Sequence, residues 1–200
     1  MTTTRKVKLK EIANILNGMP DTRLPEKAKA VGALRYNFIQ PNHLGIFNDI
    51  YSVSEIRRYV SVDENYFVRK NDILLKRLNP DIATLIMEDM INTVFSSNLF
   101  VIRVRNDYCP AYIACLLESH GLNWLNSNIV GSVAAIRSVS AKSLADLDIS
   151  SIEYDKQKAI GRMWLLYKKR RKLLANMIEE DQRLMVAIIN SIAVGTKEEV

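Results

Sequence analysis

Residues 155–192 carry one unbroken helical pattern, with no proline and no glycine after Gly161. Its apolar residues recur at alternating steps of four and three, the spacing of a coiled coil. At 1.5 Å per residue such a helix spans roughly 55–60 Å. One seam runs through Ile160, Trp164, Tyr167, Arg171, Leu174, Ile178, Asp181, Met185, Ile188 and Ile192. In a parallel pair, Arg171 and Asp181 would each meet their own copy. In an antiparallel pair centred near Asn176, Arg171 faces Asp181, Leu174 faces Ile178, Tyr167 faces Met185 and Trp164 faces Ile188. A neighbouring seam gives the same answer, with Arg170 against Glu180, Leu173 against Met177 and Leu166 against Leu184. Charges in such seams choose register and orientation more than they add stability. The pattern therefore predicts an antiparallel homodimer about a two-fold axis near residue 176. The plainer alternative is a helix packed on its own domain, and a helix with two apolar seams can do both.

What precedes the helix is mixed. The chain has 200 residues, 48% of them hydrophobic and 25% charged, enough for one well-packed domain and an appendage. The expected class is α+β. A compact mixed α/β domain over residues 1–150 leads into the long helix at 151–194, with a tail at 195–200. The net charge of +6 favours a polyanionic partner weakly. The run Lys168-Lys169-Arg170-Arg171-Lys172 points all the way round a helix and forms no flat patch. Solvated charges plus two seam residues is one reading, and DNA-backbone contact by Lys168, Lys169 or Lys172 the other. The basic start of the chain is followed by no apolar stretch, so no signal peptide is expected. No run is long enough to span a bilayer, and a cytoplasmic protein is expected.

Locally, residues 7–17 read as a short strand or helical turn closed by Asn17-Gly18, and 19–34 as loop. Residues 66–68 and 72–78 look like strands around a turn at Lys70-Asn71-Asp72. Residues 92–104 are rich in β-formers. Residues 111–118 are helix-prone behind Pro110. Gly131-Ser132 marks a turn and residues 140–145 a one-turn helix.

Nothing here resembles a catalytic arrangement. Cys109 and Cys115 have no zinc spacing and read as buried thiols. His43 and His120 read as surface or turn residues. Asp72 and Glu88 lack the Glu/Asp-x-Lys triplet of a nuclease. Leu78-Asn79-Pro80-Asp81 lacks the second proline and aromatic of an amino-methyltransferase motif, and no phosphate-binding glycine loop exists.

The order of several weak motifs is more specific than any one of them. Val7-Lys8-Leu9-Lys10-Glu11-Ile12-Ala13 through Asn17-Gly18 resembles the opening segment of the DNA-specificity (S) subunits of type I restriction–modification systems. Lys70-Asn71-Asp72-Ile73-Leu74-Leu75 resembles that family's "Lys-Gly-Asp-Ile-Leu" strand, with Asn71 in place of glycine. Ser97-Asn98-Leu99-Phe100-Val101-Ile102-Arg103 is similar to the strand that follows, and Tyr112-Ile113-Ala114-Cys115-Leu116-Leu117-Glu118-Ser119 to its tyrosine-led helix. Gly131-Ser132 to Ile136, then 140–149, is similar to its "Gly-Ser…Ile-Ser…Leu…Ile" stretch. Asp155-Lys156-Gln157-Lys158-Ala159-Ile160 resembles the "Glu-Gln-x-x-Ile" start of its long helix. The family's Pro-rich lead-in is replaced by Ser150-Ser151-Ile152-Glu153, which offers a capping box instead.

The resemblance implies one target-recognition domain and one conserved helix where a typical member has two of each. It implies a homodimer that rebuilds the full arrangement. Such a subunit is non-catalytic. It reads a two-part double-stranded DNA site and directs a partner adenine methyltransferase, and in some systems a restriction subunit. S-adenosylmethionine then belongs to the partner, and this chain holds no cofactor or metal. An adaptor without sequence reading, or a spare domain for recombination, is the alternative. DNA reading needs Arg/Lys for phosphates and guanine edges and Asn/Gln for adenine edges. The candidates are Arg35-Tyr36-Asn37, Arg57-Arg58, Lys76-Arg77 with Asn79, and Arg137; Arg103 and Arg105 are expected to face water. Arg57→Ala or Arg77→Ala is expected to cost DNA affinity without changing folding.

Overall fold

The computed structural model describes residues 5–20, 34–58, 62–123 and 138–195. Arg137, the Gly131-Ser132 turn, most of the expected 19–34 loop and nearly all of the tail lie outside the described residues. In chain order the elements are β1 (Arg5–Lys8), α1 (Leu9–Ile12), β2 (Ala13–Asn17), β3 (Leu34–Ile39), β4 (Ser54–Arg58), β5 (Asp72–Lys76), β6 (Ala83–Leu85), β7 (Thr93–Phe95), β8 (Leu99–Val104), α2 (Pro110–Leu116), α3 (Ala141–Ala145), β9 (Asp148–Ser151) and α4 (Tyr154–Gly195). Short 3-10 turns lie at Pro41–His43 and Glu64–Tyr66, and α2 runs on through a wider π turn, Leu117–Gly121.

The centre of the head is the sheet β2-β8-β5-β6. Side chains alternate across a strand, so a strand buried on both faces must be apolar throughout. Residues 73–75 of β5 and 99–102 of β8 are such runs. Ile73, Leu75, Phe100 and Ile102 face a core shared with α1, α2, α3 and β9. Leu74, Leu99 and Val101 face the opposite core, under Ile39 and Phe95 of the second sheet, β4-β3-β7. Strands β1 and β9 pair antiparallel and bring the start of the head to the root of α4. Arg103 is only partly exposed. It lies opposite Asp72 in the β5–β8 register and grips both carboxylate oxygens at 2.8 Å. That hydrogen bonding raises the guanidinium pKa above its ordinary value.

Asn71 adopts φ 71, the left-handed region, in the turn that launches β5. Glycine takes this conformation freely, and asparagine is among the few other residues that visit it. The Asn71-for-glycine change in the motif thus keeps the backbone requirement. Ser140 caps α3, its Oγ accepting the Ser143 N–H at 3.0 Å.

Helix α4 has 42 residues, about 63 Å of helix, and its two halves differ. The first half docks on its own head through a strip four and three residues apart. Gln157 Oε1 accepts the Cys109 N–H at the start of α2 (2.9 Å), while its Nε2 donates to Ile152 O (2.8 Å). Gly161 lies against the Ala111–Tyr112 backbone. Trp164 is buried in the head core, and its Nε1 donates to Glu118 Oε2 at 3.1 Å. Trp164 is therefore part of the head and not of a free seam, and the plainer reading holds for this half. From Leu173 on, the side chains stand out in solvent, including Leu174, Met177, Ile178, Leu184, Met185, Ile188 and Ile192.

Other expectations change in detail. Residues 66–68 form the end of a 3-10 turn and an isolated bridge from Phe67 to Val94, not a strand. Residues 54–58, to which the sequence alone assigns no element, form strand β4, paired along β3. Ser150 and Ser151 do not cap the helix. They end β9, with Ser150 O accepting from Tyr112 Oη and Ser151 Oγ bonded to Tyr108 Oη. The two thiols are half-buried rather than fully buried. His43 is a turn residue but buried, its Nδ1 accepting the Gln40 N–H.

Candidate nucleic-acid interface

Strands β3 and β4 form an antiparallel ribbon in which Arg35 stands opposite Arg57 and Asn37 opposite Glu55. The period of two puts these four side chains on one face and Tyr36 and Phe38 on the other. Tyr36 is buried there, stacked edge-on against Phe67 at 5.8 Å, and its Oη accepts the Val62 N–H. Tyr36 thus lies on the face of the ribbon opposite Arg35 and Arg57 and packs it against the head. On the open face, Glu55 sits between Arg57 Nε (3.3 Å) and an Arg35 Nη (3.9 Å). All three side chains are substantially exposed. Surface pairs of this kind are worth about 0–1 kcal/mol, so a phosphate or a guanine edge can compete for the guanidiniums. Arg58 ends β4 opposite Leu34.

Asn37 secures the adjoining turn. Its backbone N–H donates to Asn92 O at 2.8 Å and its side-chain amide to Ile91 O at 3.3 Å. Asn92 is left-handed at φ 49, and Ile91 is 83% exposed. The sequence does not single out Ile91, an exposed apolar residue whose carbonyl accepts from the Asn37 amide. Its only signal was a bare isoleucine before Asn92 in a polar stretch.

The second group of candidates lies elsewhere, where β5 leaves the central sheet. Lys76 pairs with Asp81 at 3.0 Å. Arg77 donates to Asn17 Oδ1 at 2.6 Å and stacks its guanidinium over Phe100 at 4.6 Å. Arg77 joins the ends of β2, β5 and β8, so Arg77→Ala affects folding as well. Asn79, at φ 45, bends the turn that follows.

The basic run on α4 is divided by direction. Lys168 is buried, bonded to Glu118 and to Ile46 O (2.8 Å), and is not available to DNA. Arg171 lies over Phe47 at 5.6 Å and Lys172 pairs with Asp49 at 3.2 Å. Lys169 and Arg170 are exposed. Nearby, burial pushes the Cys115 thiol pKa up from its ordinary value. Among the described residues, no group of three or more His, Cys, Asp or Glu side chains is placed to hold a metal ion, and no helix is long and apolar enough to cross a membrane.

No protein-family model matches this sequence, and no curated protein does. Solved structures do. A mixed α/β head on a long helix is an architecture the chain shares with type I specificity subunits. The HsdS subunit of Thermoanaerobacter tengcongensis superposes with a TM-score of 0.66 at 15% identity, over 92% of this chain and 47% of that one. The type I S subunit of M. genitalium gives 0.57 at 14%, over 92% and 44%. A chain from a structure of type I complex assembly and conformational transition gives 0.61 at 17%, over 94% and 45%. At these identities the likeness is one of fold, and this chain spans a little under half the length of each.

Proposed function

We propose that this chain is a sequence-reading DNA-binding module that works as a homodimer and directs a partner adenine methyltransferase to a two-part site. The observation that carries the reading is the joining of two surfaces by a head docked on α4. The open Arg35–Arg57 ribbon belongs to a head docked on α4, and the distal half of α4 exposes apolar side chains from Leu173 to Ile189. Exposed, contiguous apolar patches mark interaction sites. Two copies of a chain that spans just under half of its structural relatives supply two heads and two helices.

In the proposed dimer the helices run antiparallel about residue 176. Tyr167 meets Met185, Arg171 meets Asp181 and Leu174 meets Ile178, with Ile160 and Ile188 extending the seam. Trp164 stays with its own head. Residues 1–150 read DNA, 151–194 pair and space the heads, and the remainder is tail. The dimer symmetry implies a symmetric, interrupted target. S-adenosylmethionine, and any restriction activity, belong to partner subunits in the cytoplasm of a prokaryote.

The test is duplex binding by the wild-type chain and by an Arg35→Ala/Arg57→Ala variant, with circular dichroism as the folding control. Removing two phosphate or base contacts per protomer, four in the dimer, lowers affinity by roughly a hundredfold or more and, where all four are phosphate contacts, flattens the salt dependence by about four. Equal affinity and equal salt slope, in a folded variant, sink the assignment of the ribbon.

A further inference from the structure

The head touches α4 along two adjoining stretches, and Glu118 bonds to both. The first is the strip Gln157, Gly161 and Trp164 under α2. The second is a loop of the head, residues 44–51, laid against the next two turns of the helix. Lys168 is 3% exposed, and its ammonium joins Ile46 O to the Glu118 carboxylate that Trp164 also holds. Arg171 covers the Phe47 ring and Lys172 reaches Asp49. The loop is itself shaped for this. Gly45 N donates to Asp49 O, Phe47 N donates to Asp49 Oδ1, and Asn48 takes the left-handed φ of 64. A buried lysine is uncommon unless it is paired, and here the pairing spans 122 residues of sequence.

We infer that this loop-to-helix latch is the element that fixes spacer length in the DNA site, an inference that rests on the DNA-reading homodimer proposed above. One contact on a cylinder leaves a head free to swing. A second contact, about 12 Å farther along the helix from Trp164 to Lys172, removes that freedom. The tolerance required is small. Each added base pair moves a half-site by roughly 3.4 Å and turns it by about 35°. A head held only at Gln157–Trp164 follows such a shift by pivoting, and a latched head does not. Phe47, Asp49, Lys168 and Lys172 are therefore positioning residues for spacing, and not base-reading residues.

The variant to make is Phe47→Ala/Lys172→Ala, which removes the outer part of the latch from sites outside both dimer seams. Duplexes carry the half-sites that the wild-type chain selects, at the chosen spacing and at one and two base pairs either side. The wild-type chain is expected to prefer one spacing by about tenfold, and the variant by less than about threefold, with the bases preferred within each half-site unchanged. A variant that keeps the full spacing preference overturns the inference, and so does one that loses half-site preference in step with spacing. Small-angle scattering of the DNA-free proteins gives an independent readout. A broader distance distribution for the variant, at equal helix content, is expected, and identical profiles overturn the latch. A wild-type chain that selects no half-site overturns the DNA-reading proposal and the ruler role with it. Scattering alone still decides whether these contacts hold the head.

Discussion

Gly161→Ala sets two known effects against each other, and the docking of α4 decides the sign. In a free helix, alanine is more favourable than glycine by about 0.8–1.0 kcal/mol. Here the added Cβ lies 2.8 Å from Ala111 Cβ, 2.9 Å from Tyr112 N and 3.1 Å from the Ala111 carbonyl carbon. None of these atoms belongs to a side chain that can rotate away, so α2 and α4 must move apart. Overpacking of a tight contact costs about 1–3 kcal/mol; with backbone atoms as the obstacle, the upper part of that range applies. The net effect is a destabilisation of roughly 1–2 kcal/mol, a fall in Tm of roughly 2–8 °C for a chain of this size. Differential scanning calorimetry reads the change, and hydrogen exchange locates it. Faster exchange is expected at the start of α2 and along α4 from Gln157 to Trp164. A rise in Tm, the response of an undocked helix, refutes the docking geometry.

Further outcomes follow from single contacts. Asp72→Ala strips Arg103 of its bidentate partner and Arg69 N of its acceptor; about 3 kcal/mol is expected, the low end for a broken buried pair because Arg103 keeps some solvent contact, read as a lower urea midpoint. Arg77→Ala loses the Phe100 stack and the Asn17 hydrogen bond, and should cost about 1–2 kcal/mol of stability, read as a lower urea midpoint, as well as changing DNA affinity. The Cys115 thiol pKa is raised by burial from 9.0, so the stability this group adds is full below that value and is lost as pH rises through the folded pKa. Native-state alkylation of Cys115 should lag that of the unfolded chain at pH 8, and equal rates contradict the burial.

Much of the fold is visible in the sequence because local chemistry points the same way as the tertiary structure. The two-sided apolar runs of β5 and β8, Pro110 opening α2, Ser140 capping α3 and the long heptad pattern of α4 are cases of this. Asn71 kept its turn where the related motif has glycine. Strand β4 was passed over because one face is charged and its β character comes from pairing with β3, whose residues are about 20 positions away. Tyr36 falls within a candidate DNA-contacting cluster in the sequence, since nothing local reveals that Phe67 packs against it. Lys168 was read as solvated or DNA-facing, because its partners, Ile46 and Glu118, are 122 and 50 residues distant. Trp164 belongs to a heptad and to the head strip at once, and periodicity alone cannot assign it. Arg35 and Arg57 were both noted, but their meeting across the ribbon is a fact of register.

The central claim is that paired copies of this chain read a two-part DNA site. The direct measurement is selection from a random duplex library by the purified protein, with and without a candidate methyltransferase, followed by sequencing of what is retained. The account predicts an inverted repeat interrupted by a spacer of fixed length. A single asymmetric site contradicts the symmetric dimer, and salt-sensitive retention without any sequence contradicts DNA reading itself.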